Sequence, residues 1–379
     1  MGIRSTLSFT LLIALFAPAY AQTTPPTPPE WALGPFLRPV DEPIIQPRAE
    51  SVFQDPLKQD PVTSGPVHWE ALHTFNPAAV VRNGKVFVLY RAEDDSGAMQ
   101  IGMHTSRLGL AESEDGIHFT RLPRPVFYPA EDSQKAREWP GGVEDPRIVE
   151  APDGSYVLTY TQWNRQTYTI GIATSPDLIH WTKHGPALGE IGPYANLMYK
   201  SGGIVTRLDH GRLIAARIHG KFWMYWGEIQ VRVATSTDLI HWTPIEESPG
   251  KPVLVLEHRP GLFDSGFPEV GTPPILTKQG ILVLYNGKNA EAGRDPDPDL
   301  GPGAYSVGEA LFDASHPTRM LKRLDQPVLY PEKPYERSGQ YAAGTTFGEG
   351  LVRFKGNWLL YYGTADSFVA VAQASARAF

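Results

Sequence analysis

The chain has 379 residues, no cysteine and a formal net charge of −7. Without cysteine there is no disulfide framework, no thiolate metal site or nucleophile and no lipid-anchored N-terminal Cys, so stability must come from a large core, which a chain of this length can build. The acidic balance argues against nucleic acid as a ligand and suits a neutral one.

Arg4, an apolar run from Leu7 to Phe16, and Ala19 and Ala21 flanking Tyr20 read as a secretory signal peptide over 1–21, cut after Ala21. That run is too short to stay in a bilayer, and no later stretch approaches the ~20 apolar residues of a transmembrane helix, so the mature protein is expected to be soluble and exported, periplasmic or secreted. Residues 22–48, with Thr24-Pro25-Pro26-Thr27-Pro28-Pro29, read as an extended proline-rich linker to a single body over 49–379.

Within that body five strand-like segments recur: Val86 to Tyr90, Tyr156 to Tyr160, Leu213 to Ala216, Ile281 to Tyr285 and Trp358 to Tyr362. After the first three come Ala111-Glu112-Ser113-Glu114-Asp115-Gly116-Ile117-His118-Phe119, Ala173-Thr174-Ser175-Pro176-Asp177-Leu178-Ile179-His180-Trp181 and Ala234-Thr235-Ser236-Thr237-Asp238-Leu239-Ile240-His241-Trp242; Ala310 to Asp313 and Ala370-Val371-Ala372 are degenerate copies. Each reads as a small-residue strand, an Asp-led turn and an aromatic that packs back. A period of about 66 residues fits a four-stranded blade with long loops, hence an all-β, five-bladed propeller with its site at one mouth of the central channel; a β-sandwich is the alternative. His180 and His241, being part of the repeat, are expected to be structural.

Gly141-Gly142-Val143-Glu144-Asp145-Pro146-Arg147-Ile148 stands directly before a strand, with two carboxylates beside a guanidinium. Such an arrangement can hold one carboxylate ionised while the other keeps a proton, or can simply be an ion pair that stabilises a turn. No His/Asp/Glu cluster has zinc spacing, no Gly-rich loop opens a nucleotide-binding helix, and no metal or cofactor is assigned. Asp295-Pro296-Asp297-Pro298-Asp299 reads as a solvated insertion.

That Gly-x-Glu-Asp-Pro-Arg segment, the repeated Ser-x-Asp-Leu-Ile-His-Trp turns, Asp264-Ser265 leading to Gly271-Thr272-Pro273-Pro274-Ile275, and Tyr361-Tyr362-Gly363-Thr364-Ala365-Asp366 follow one family's order. Along nearly the whole mature body the chain resembles glycoside hydrolase family 130, the β-mannoside hydrolases and phosphorylases. The resemblance implies a five-bladed propeller that cleaves β-mannosidic bonds with inversion, using water or phosphate. It makes Asp145 the proton donor, acting through a mannose hydroxyl. It places Asn76, Arg91, Arg147 and Asp366 around the mannose, with Glu144 and Tyr305 also on the substrate, and Lys200 and Arg217 where phosphorylases hold phosphate.

Inverting hydrolysis needs a second carboxylate to deprotonate water, whereas phosphorolysis needs cations. Asn286 stands where the phosphorylases carry His, and Glu228 and Glu269 match the hydrolases' glutamates around the attacking water. The expectation is therefore an exo-acting, inverting β-mannosidase on β-mannoside oligosaccharides, β-1,2-linked by the resemblance. Its base role stays undivided between Glu228 and Glu269. The rivals are a mannoside phosphorylase and a non-catalytic sugar-binding propeller.

Overall fold

The computed structural model describes residues 28–57 and 65–375, so the signal peptide expected over 1–21 lies outside the described residues. Among the described residues, helix is confined to α1 (Lys135–Glu138) and a 3-10 turn at Pro334–Glu336, and no helix is long and apolar enough to cross a membrane.

The strands form five antiparallel blades. Blade 1 holds β1 (His73–Arg82), β2 (Lys85–Glu93), β3 (Ser106–Ser113) and β4 (Thr120–Arg121), and blade 2 holds β5 (Gly142–Glu150), β6 (Tyr156–Trp163), β7 (Tyr168–Ser175) and β8 (Thr182–Pro186). Blade 3 is more broken. Its inner strand runs as β9 (Gly202–Ile204) and β10 (Thr206–Asp209), its return arm as β11 (Arg212–Ala215) and β12 (Arg217–Ile218), followed by β13 (Lys221–Trp226), β14 (Val231–Ser236) and β15 (Thr243–Pro244). A small hairpin of β16 (Glu246–Ser248) and β17 (Lys251–Pro252) follows, and β18 (Leu254–Leu256) returns to pair with β14. Blade 4 contains β19 (Phe267–Val270) and β20 (Ile275–Thr277), both paired with β21 (Gly280–Lys288), then β22 (Tyr305–Phe312) and β23 (Met320–Arg323). Blade 5 contains β24 (Phe347–Phe354), β25 (Asn357–Thr364) and β26 (Phe368–Ser375).

Because side chains alternate across a strand, each blade is apolar on both faces and needs a neighbour on each side. Five buried clusters meet that need, one between each adjacent pair. Leu89 and Leu108 of blade 1 pack on Ile148 and Leu158 of blade 2. Val157 and Ile172 pack on Met224 and Trp226 of blade 3. Tyr225 and Val233 pack on Val283 and Tyr285 of blade 4. Leu282 and Leu284 pack on Trp358 and Leu360 of blade 5. Leu359 and Tyr361 then pack on Val88 and Tyr90 of blade 1, which closes the ring. A sandwich of two sheets would not produce five such interfaces.

All the alanine-bearing copies fall on third strands, at Ala111, Ala173, Ala234, Ala310 and Ala370. In the three full copies the Ser113, Ser175 and Ser236 hydroxyls accept the N–H of Gly116, Leu178 and Leu239 at 2.8, 2.8 and 2.9 Å. Those three residues take positive φ, 83°, 74° and 69°. Asp177 Oδ1 accepts the N–H groups of Ile179 and His180, while Oδ2 meets His180 Nδ1 at 2.7 Å. Asp115 and Asp238 repeat the arrangement with His118 and His241. His180 and His241 are thus turn residues.

Two sequence-based expectations fail here. The third repeated segment, Leu213 to Ala216, is not the strand equivalent to the other four: β11 is an arm folded on β10, and β13 takes the equivalent place, because the inner strand here is divided, β9 pairing with β13 and β10 with β11. Nor are residues 28–48 a free linker. Leu37 and Gln373 exchange backbone bonds at 2.8 and 2.7 Å, and Val369 N donates to Ile45 O at 3.0 Å, so this segment supplies the missing outer edge of blade 5. Trp31, Leu33 and Phe36 enter the core between blades 4 and 5. Proline suits an edge, where only one side of the backbone has to pair.

Removing residues 1–46 therefore takes four large buried side chains, Trp31, Leu33, Phe36 and Ile45, out of the core, along with Ala32. At ~1.5–3 kcal/mol each the expected loss is on the order of 5 kcal/mol or more, read as a collapse of the denaturation midpoint. Removing only 1–27 is expected to leave that midpoint unchanged.

Candidate active site

At the mouth where the inner strands begin and the second strands end lies a cavity of about 340 Å³. Its walls come from every blade: Asn76 and Arg91, then Glu144, Asp145, Trp163 and Tyr168, then Lys200 and Glu228, then Glu269 and Tyr305, then Phe347 and Asp366. The inner strands present these groups by breaking register. Pairing shifts at Phe75/Pro77 in β1, at Glu144/Arg147 in β5 and at Gly348/Gly350 in β24, so Asn76, Asp145 and Glu349 are bulge residues turned toward the channel. Asn76, Asp145, Ser201 and Asp366 all have positive φ, 45°, 46°, 62° and 50°. Such conformations cost of order 1–3 kcal/mol each outside glycine and persist only where surrounding packing imposes them. Gly363 shows how tight that packing is, since a Cβ there would sit 2.1 Å from Asn76 Oδ1.

Two cations organise the carboxylates. Arg91 donates to Asp145 Oδ1 at 3.1 Å, Glu144 Oε1 at 2.8 Å and Glu93 Oε1 at 2.7 Å, and Asn76 Nδ2 donates to Asp145 Oδ1 at 2.8 Å. Lys200 Nζ lies 3.2 Å from Glu269, 3.6 Å from Glu228 and 3.8 Å from Asp145 Oδ2. Ser201 Oγ donates to Glu269 Oε1 at 2.5 Å. The backbones of Glu228 and Glu269 pair across the junction of blades 3 and 4, which sets the two glutamates side by side.

Charge crowding separates the protonation states. Burial would raise the Asp145 carboxyl, but Arg91, Lys200 and Arg147, with the Asn76 hydrogen bond, hold it well below the ordinary carboxylate range. Glu144 goes the other way, pushed to about 7 by burial and by Asp145 and Glu93 against the pull of Arg91. Asp366 also rises to about 7, chiefly by burial. Glu269 is raised by burial and by Glu228, against Lys200. Burial would lower the Lys200 ammonium, yet Glu269, Glu228 and Asp145 raise it well above its ordinary value. Burial and a hydrogen bond to Glu228 push the Tyr168 hydroxyl to about 12. The Glu-Asp-Arg run thus does split its two carboxylates, with Asp145 as the ionised member.

Three expected site residues lie elsewhere. Arg217 is exposed on β12, opposite Phe222 at the start of β13, and its guanidinium bonds the carbonyls of Gly220 and Thr237; Lys200 stands at the other end of that strand, by Gly227. Asn286 uses both ends of its amide on the backbone of Gly348, at 3.1 and 2.8 Å, tying blade 4 to blade 5. Arg147 sits beneath the cavity, 2% exposed, donating to the carbonyls of Asp145, Val270 and Gly271 at 2.9, 2.8 and 3.0 Å, with Glu349 Oε1 2.9 Å away. It positions the backbone on both sides of the site without reaching the cavity.

Sequence reasoning missed Glu93 and Ser201, which hold Arg91 and Glu269, and the rings of Phe75, Trp163, Tyr168, Tyr341 and Phe347. Tyr305 is edged by Tyr341 and Phe347, each with ring centroids 5.6 Å away. The available signal was position: Phe75, Trp163 and Phe347 stand at the mouth ends of their strands.

Replacing Arg147 by Lys keeps the charge and loses the fork that reaches three carbonyls. At ~1.5–3 kcal/mol for each charge-assisted bond lost, the variant is expected to melt well below the wild type in a thermal scan.

The family model described as beta-1,4-mannooligosaccharide phosphorylase matches residues 52–378. A 1,2-beta-oligomannan phosphorylase of Thermoanaerobacter sp. (strain X514) is 31% identical over 336 residues, 88% of this chain and 94% of the relative. A crystal structure of a glycosyl hydrolase from Bacteroides ovatus superposes with a TM-score of 0.87 at 49% identity, covering 93% of this chain and 98% of the other. A second structure has a TM-score of 0.87 at 48% identity, again over 93% and 98% of the two chains. It accompanies the finding that the GH130 family of mannoside phosphorylases contains glycoside hydrolases that target β-1,2 mannosidic linkages in Candida mannan. On the extent of these matches and the ring of five blades, the chain belongs to glycoside hydrolase family 130.

Proposed function

We propose that the chain is an enzyme acting on β-mannosides, and specifically an exported, inverting, exo-acting β-mannosidase on β-1,2-linked manno-oligosaccharides. The observation that carries hydrolysis over phosphorolysis is the commitment of the cations. Lys200 already faces three carboxylates, and Arg217 is at the far end of its blade. A phosphate dianion entering beside Glu228 and Glu269 would meet net negative charge, whereas water meets two bases. The 48%-identical relative described with the β-1,2-mannoside hydrolases supports the same reading. Export rests on the sequence of residues 1–21.

In this mechanism Asn76, Arg91, Asp366 and Tyr305 hold the terminal mannose. Glu269 or Glu228 takes a proton from water as its oxygen attacks the anomeric carbon. Asp145 passes a proton through a mannose hydroxyl to the departing glycosidic oxygen, so the C–O bond breaks as the new one forms on the opposite face. Lys200 touches both sides, so Asp145 stands no farther from Glu269 than its two contact distances, 3.8 and 3.2 Å, laid end to end. The acid proton has a local source. Glu93, Glu144, Asp145 and Asp366 share the single guanidinium of Arg91, and Glu144 and Asp366, both near 7, retain a proton that Asp145 can take up when a sugar hydroxyl replaces Lys200 at Oδ2.

Incubation with β-1,2-mannobiose is expected to release free mannose at the same rate with and without inorganic phosphate; mannose 1-phosphate formed only with phosphate would make the chain a phosphorylase. Asp145→Asn is expected to lose ~10²–10⁴ in kcat, and the base glutamate a similar factor on change to Gln. An Asp145→Asn protein that binds mannobiose and turns it over at the wild-type rate would exclude this acid.

The carboxyls near 7 also fix the sign of the pH response. Protonated below that value and ionised above it, they supply the proton only on the acid side, so kcat/KM should fall as pH rises through about 7. Glu144→Gln is expected to move that alkaline limb in a pH–rate profile.

A further inference from the structure

Beside the sugar cavity, His73 and Glu93 face each other as a cross-strand pair at the open end of the β1–β2 hairpin, and His104 approaches from the loop before β3. One ligand atom of each lies within 4.8 Å of those of the other two. Glu93 and His104 are 1% and 2% exposed.

Both imidazoles are fixed from the same end. His104 Nδ1 is 3.1 Å from the Ser96 carbonyl oxygen, which can only accept, so Nδ1 carries the hydrogen. His73 Nδ1 is 2.9 Å from Ser367 Oγ, which also lies 3.2 Å from Ala365 O; with the Ser367 hydrogen on that carbonyl, Nδ1 donates here too. In the neutral rings both Nε2 atoms are therefore bare lone pairs. On Glu93, Oε1 accepts Arg91 Nη2 at 2.7 Å and Ser106 Oγ at 3.4 Å, and Oε2 accepts Gln340 Nε2 at 3.2 Å. Among the described residues no ion pair joins either ring to Glu93. An Nδ1–H bonded to an oxygen, with Nε2 left free, is how metal-ligating histidines are oriented and made more basic.

We propose that His73, His104 and Glu93 form a binding site for a borderline divalent cation such as Zn²⁺, held by two Nε2 atoms and one carboxylate oxygen. Two nitrogens and one oxygen suit zinc and its neighbours, whereas Ca²⁺ and Mg²⁺ take oxygen sets. Bonds of about 2.0–2.2 Å require the three groups to draw inward. The cross-strand register fixes His73 and Glu93, so that movement falls on the His104 loop. The ion would lie one carboxylate away from Arg91, and so from Asp145.

The test is calorimetric titration of chelator-treated, full-length protein with Zn²⁺, and with Ca²⁺ as the control. One Zn²⁺ per chain is expected, with a raised thermal midpoint, and no saturable heat from Ca²⁺. His104→Gln and His73→Ala should each weaken Zn²⁺ binding roughly tenfold or more while retaining the wild-type circular dichroism spectrum. His104 lies on a loop, so its variant reports on binding even if the strand residue His73 proves necessary for folding. No saturable Zn²⁺ uptake by the wild type, or uptake unchanged in His104→Gln, would overturn the site.

Discussion

Charge balance at the mouth of the ring governs this molecule. Six carboxylates, Glu93, Glu144, Asp145, Asp366, Glu228 and Glu269, surround two cations, Arg91 and Lys200, in a space mostly shielded from water. An uncompensated buried charge is costly, so such a group holds its ionisation only where a cation faces it and otherwise takes up a proton. Asp145, the one carboxylate in ion-pair contact with both cations, stays ionised, and Glu144 and Asp366 rise toward neutrality. The resulting protonation pattern is a property of the group of residues and of no single member.

The propeller makes that crowding possible. Each inner strand enters from the same end of the channel, so the connections of all five blades converge there, the long ones over 122–141 and 324–346 included. Bulges at Asn76, Asp145 and Glu349 then rotate a side chain out of the period-2 alternation and into the middle. The left-handed backbone at Asn76 and Asp145 accompanies that rotation, and Asp366 adopts it in the turn between β25 and β26. Asn and Asp tolerate it better than most side chains, consistent with their presence at these positions.

Much of this was legible in the residues. The Ser-x-Asp turns repeat because blades 1 to 3 make the same tight reversal after the third strand, and that reversal is local: Ser175 and Asp177 satisfy the backbone within five residues. Asp145, Glu228 and Glu269 were recognisable by motif, and they do converge. What could not be read was the third dimension of shared groups. Arg147, Asn286 and Arg217 are polar residues in matching motifs, yet the first two are consumed by backbone carbonyls and amides beneath or beside the cavity, and the third points away from it. Proline-rich composition concealed the edge pairing of Leu37 and Ile45, because their partners lie more than 300 residues away in sequence.

That pairing joins the two ends of the chain. Leu37 and Ile45 are synthesised more than 300 residues before Val369 and Gln373, so blade 5 cannot acquire its outer edge until the four intervening blades have been made. Contacts this distant in sequence delay closure, since the entropy of the intervening loop must be overcome before the contacts repay it. The ring is thus a clasp whose two halves are made first and last, and a partly synthesised chain remains open.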